Sequence, residues 1–119
     1  MKKTFGVFLG AVFLISIVAV AAAETTKTGI LLDAACADRM GGDETKASTH
    51  KVSCSLMPSC DASGFGIVVD GQFLKFDSSG DEKARTLLKG SQETSSFKVT
   101  VTGEVEGDNM KVKTIEVAN

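Results

Sequence analysis

The sequence predicts a mainly β fold. Five short strands close as a barrel, one short helix lies between strands 3 and 4, and a cysteine-containing, partly helical insertion follows strand 1. Three observations predict it. Apolar and polar residues alternate with a period of two at Phe65, Ile67 and Val69 and again at Phe97, Val99 and Val101, as half-buried strands require. Asp70-Gly71 is a two-residue hairpin signal between two such runs. Gly103 interrupts one run, and the alternation slips by one between Val112 and Ile115, as bulges in a bent sheet do.

The elements follow in order. Gly29-Ile30-Leu31-Leu32 is a nearly continuous apolar run and reads as a buried first strand. Residues 34–63 carry no strand pattern. Asp43 caps a helix expected from Glu44 towards Met57, which Pro58 stops. All three cysteines, the one histidine and the one proline fall in this insertion. So long a segment without structure is uncommon in a small domain, so something must tie it down. After the Phe65–Val69 strand, Gln72 to Asp77 is the return strand, with Leu74 and Phe76 on one face and Phe73 and Lys75 on the other. Ser78 or Ser79 caps a helix over 81–89, with acids in its first turn, Lys89 in its last and Gly90 as its stop. Glu106-Gly107-Asp108-Asn109 turns the chain between the last two strands. Five strands with a helix between the third and fourth is the element order of the OB-fold barrel. An open five-stranded sheet with a helix on one side is the competing architecture.

The chain is expected to be exported. Lys2 and Lys3, the uncharged apolar run from Phe5 to Val20, and Ala21-Ala22-Ala23 have the order of a cleavable signal peptide over residues 1–23. Cys36 is not a lipid-attachment site, because it lies well past the apolar run and Asp33 stands where an apolar residue is required. Removing 23 residues from 119 leaves 96, enough for a single OB-like β domain over 24–119. Two of the 13 basic residues leave with the leader, so the balance becomes 11 against 15, or −4. That charge, with most phenylalanines at core-facing positions, opposes nucleic-acid binding, which needs a basic groove and exposed aromatics. The expected location is the periplasm or the medium, with no stable membrane anchor after cleavage.

Gly29-Ile30-Leu31-Leu32-Asp33-Ala34-Ala35-Cys36, His50-Lys51-Val52-Ser53-Cys54, Cys60, Val69–Phe76 and Val99-Thr100-Val101-Thr102-Gly103 together resemble a group of small exported bacterial proteins of unassigned function. The terminal hairpin is also similar to the periplasmic bacterial OB-fold group. The resemblance implies the fold and export; it implies no activity, cofactor or catalytic residue.

The cysteines carry the chemistry. In an oxidising compartment they usually pair, and three cannot all pair within one chain. The first expectation is a disulfide from Cys36 to Cys54 or Cys60, stapling the insertion to strand 1 and contributing about 3 kcal/mol. The third thiol would then be free, leaving a disulfide-linked dimer open. On this reading the protein is an envelope or secreted binding module, without catalytic activity or cofactor, for a protein or small-ligand partner. An alternative is a zinc or copper site at Cys36, His50, Cys54 and Cys60. A helix over Glu44–Met57 would put His50 and Cys54 four residues apart on one face, with Met57 one turn beyond. A second alternative is a thiol redox protein in which His50 activates Cys54. The acids Asp33, Asp38, Asp43 and Glu44 read as polar surface.

Overall fold

The computed structural model describes residues 23–118. The leader expected over 1–23 lies outside them except for Ala23. Ten elements follow in order: β1 Thr25–Asp33, α1 Ala34–Met40, α2 Glu44–Thr49, α3 Val52–Ser55, α4 Pro58–Ala62, β2 Phe65–Val69, β3 Gln72–Phe76, α5 Ser78–Gly90, β4 Lys98–Glu106 and β5 Asn109–Val117. Among these residues no helix is long and apolar enough to cross a membrane.

The strands make one sheet in the order β1-β2-β3-β5-β4, and β1 pairs with β4, so the sheet returns on itself. Its joints are unequal. β4 and β5 pair antiparallel along almost their whole length, whereas β3 meets β5 in parallel only through Lys75 with Asn109 and Phe76 with Met110. The expected fold class is corrected accordingly. In place of a mainly β barrel with one short helix and a partly helical insertion, the fold is mixed α/β. Five helices accompany the five-stranded sheet, and the ring is drawn together through a two-pair seam.

Local chemistry explains the elements that were anticipated. Asp70 and Gly71 both take positive φ, 51° and 75°, the backbone of a primed turn that matches the strand twist. The two irregularities of the last hairpin are one bulge. Thr102 pairs with Thr114 and Gly103 with Val112, which leaves Lys113 without a partner and shifts the face of every later β5 residue. Helix α5 begins earlier than expected, because Asp77 rather than Ser78 or Ser79 caps it by accepting from Gly80 N–H at 3.0 Å.

The apolar run of β1 is continuous because both its faces are covered. Leu31 enters the main core with Phe65, Ile67, Leu74, Leu88, Val99 and Val101. Ile30 and Leu32 point the other way, where with Val68 they pack under Ala37 of α1 and Ala47 of α2. The insertion is thus a lid over the outer face of β1 and β2. Burying Ile30 and Leu32 there stabilises by about 1.5–3 kcal/mol each. At the end of the ring, α3 inserts Val52 into the main core, with Leu56 packed against it.

The helix expected over Glu44–Met57 is corrected as well. It breaks at His50 and Lys51, whose ψ values of 135° and 137° are extended. Lys51 bridges Ser95, His50 C=O accepts from Ser96 N–H at 2.7 Å, and Val52 N–H donates to Thr94 C=O at 2.9 Å. These two tertiary hydrogen bonds, which form the bridge, replace helical ones that local sequence would have made. Pro58, rather than only stopping a helix, opens α4 near its first position.

Candidate metal centre

The expected staple is absent: Cys36, Cys54 and Cys60 are all free thiols. The closest two sulfurs are 4.1 Å apart, about twice the ~2.05 Å of a disulfide bond. This overturns the disulfide from Cys36 to Cys54 or Cys60, and with it the stapled binding module and the basis for a disulfide-linked dimer. What ties the insertion down is its apolar underside and a buried carboxylate.

That carboxylate is Asp33. It ends β1, is wholly buried, and caps α1, with Oδ2 accepting from Cys36 N–H at 3.0 Å. Oδ1 accepts from Ser55 Oγ of α3 at 2.9 Å and from His50 Nε2 at 3.1 Å. Because an ionised carboxylate only accepts, these bonds put a proton on Nε2. One side chain therefore gathers β1, α1, the α2–α3 link and α3. Burial pushes its pKa up, but the Cys36 amide, the Ser55 hydroxyl, the Cys36 thiol and His50 together outweigh burial and hold it below its ordinary value.

Cys36 and Cys60 complete the centre. Cys36 sits in the first turn of α1, and Cys60 comes from α4. Ser63 joins the two helices, accepting from Ala35 N–H at 3.1 Å and donating to Cys60 C=O. Ala34 N–H also donates to Gly64 C=O at 2.9 Å. As a result an Asp33 oxygen, Cys36 Sγ and Cys60 Sγ all lie within 4.8 Å of one another. Ligands on tetrahedral zinc, with Zn–S of ~2.3 Å and Zn–O of ~2.0–2.2 Å, stand roughly 3.5–3.8 Å apart. The donor atoms therefore stand at most about 1.3 Å further apart than zinc ligands do. Burial, the Asp33 carboxylate and Cys60 push the Cys36 thiol up to about 12, the opposite of an activated nucleophile.

The four residues expected to bind metal divide in a way their spacing did not suggest. Cys36 and Cys60 converge. His50 meets the centre through Asp33 rather than as a member of the ligand group. Cys54 lies outside that group on α3. Met57 is half exposed, in the link before α4. The expectation of no cofactor is corrected in the same terms, since an Asp/Cys/Cys set suited to a metal is present. Asp33 and Ser55 were not anticipated. An Asp directly before Ala-Ala-Cys at the end of an apolar run is a helix N-cap signal, and it could have separated Asp33 from the surface acids.

Comparison of the chain with protein-family models, with curated proteins and with solved structures finds no match.

Proposed function

We propose that this chain is an exported metal-binding protein of the cell envelope that holds zinc at Asp33, Cys36 and Cys60. One observation carries the reading: a fully buried carboxylate and two thiols from three separate elements converge within 4.8 Å. Chemistry favours zinc over copper. An oxygen donor beside two sulfurs suits borderline Zn²⁺ better than soft Cu(I). A carboxylate with two thiolates carries three negative charges, which a dication offsets more fully than a monocation.

His50 and Ser55 orient the carboxylate from behind, the role that outer hydrogen-bond partners play at metal sites. The apolar segment 5–20 and the resemblance to small exported bacterial proteins support export to the periplasm or the medium.

Calorimetric titration of zinc into the reduced, metal-free protein tests this. One ion should bind per chain. C36S and C60S should abolish tight binding, and H50A should weaken it by roughly 10–100-fold, while C54S should bind as the unaltered protein does. Binding that survives C36S and C60S together, or that is lost in C54S, contradicts the assignment.

A further inference from the structure

Three donors do not complete a tetrahedral ion. Structural zinc sites present four protein ligands, whereas sites that exchange or react keep three and leave one position free. Asp33, Cys36 and Cys60 form a group of three among the described residues. The nearest further candidate, His50, has its Nε2 on Asp33 Oδ1 at 3.1 Å, and Cys54 is not in the group. The group is also polar in its exposure: Asp33 is fully buried, while Cys36 and Cys60 are each partly exposed. The carboxylate marks the inner end, and the two cysteines lie nearer the surface.

We propose, building on the zinc reading above, that the bound ion keeps its fourth position open on the outer side and fills it with a neutral donor. That donor is water at rest and an imidazole nitrogen when one is offered. The charge of the set decides the class. Three anionic donors already exceed a dication by one charge, so a neutral nitrogen adds less repulsion than a further anion does.

Cobalt(II) serves as the probe in the reduced, purified protein. Two sulfurs should produce a thiolate-to-cobalt charge-transfer band, and imidazole should then shift the d–d bands saturably while leaving that band's intensity unchanged. Azide should need at least tenfold higher concentration for a comparable shift. C54S should give the starting spectrum unaltered. With ¹¹³Cd bound instead, the one histidine of the chain should show no coupling between cadmium and its ring protons. Indifference to imidazole, a lost spectrum in C54S, or cadmium coupling to His50 overturns the open position; equal potency of azide overturns the preference for a neutral donor. Failure of cobalt to give any charge-transfer band is a different result, and it overturns the metal reading itself.

Discussion

Ser55 Oγ donates to Asp33 Oδ1 at 2.9 Å, and both side chains are fully buried. The bond joins α3 to the end of β1 where no water reaches to replace it. Removing the hydroxyl leaves a buried carboxylate short of one donor, a loss of about 1–3 kcal/mol. S55A should therefore unfold at lower urea concentration with an unchanged slope, measured in the presence of chelator so that only the hydrogen bond is read. An unchanged midpoint would show that Asp33 is satisfied without Ser55.

Asp81 makes a different prediction. Its Oδ1 accepts from Phe65 N–H at 2.8 Å, joining α5 to the start of β2. Burial raises its pKa above the usual 3.8, and the Phe65 amide, Lys75 and Arg85 offset this only in part. A raised carboxyl pKa means that the folded protein prefers the protonated form. The stability it contributes is fully present below the unfolded pKa of 3.8 and is lost as pH rises through the folded value. D81N keeps an acceptor for Phe65 and removes the charge, so its thermal midpoint should match or exceed that of the unaltered protein at pH 7 and gain nothing at pH 3. D81A, which removes the acceptor, should lose about 1 kcal/mol or more at pH 7. A D81N midpoint well below the original at pH 7 would contradict this account.

Gly103 stands at the bulge. A Cβ there would lie 2.0 Å from Lys111 C=O, so the backbone of β5 must move to admit it. G103A should destabilise by about 1–3 kcal/mol and disturb amide shifts from Thr102 to Thr114. Retained stability with unshifted amides would refute the tight approach.

Much of this architecture is legible in residues that interact locally. Asp70-Gly71 marks its turn because few other pairs accept two positive φ values. The slip between Val112 and Ile115 marks the bulge because alternation records which face a residue occupies. The centre was less legible, for a physical reason. His50 and Lys51 read as helix, and only their hydrogen bonds to the distant segment 94–96 make them extended. Once the helix breaks there, His50 turns to Asp33 and away from the four-residue spacing with Cys54 that suggested a shared face. Asp33 itself looks like a surface acid until α1, α3 and the sheet close around it. The disulfide expectation followed from compartment chemistry, which says that cysteines pair but not how far apart the fold holds them.

Ser96 offers a test of opposite sign. Its Oγ is buried without a hydrogen-bond partner among the described residues, while its backbone N–H holds His50 C=O. S96A removes an unpaired polar atom and keeps the backbone bond, so it should leave stability unchanged or raise it by up to about 1 kcal/mol. A loss larger than that in chemical denaturation would show that the hydroxyl is partnered in solution.

The central claim is that Cys36 and Cys60 serve a metal with Asp33. Its most direct test is the intact mass of the protein purified from its own cells, taken under native conditions and again after denaturation with an alkylating agent. The account predicts one zinc ion per chain in the native spectrum and three alkylated thiols in the denatured one. A metal-free chain carrying one disulfide and a single alkylated cysteine would contradict it.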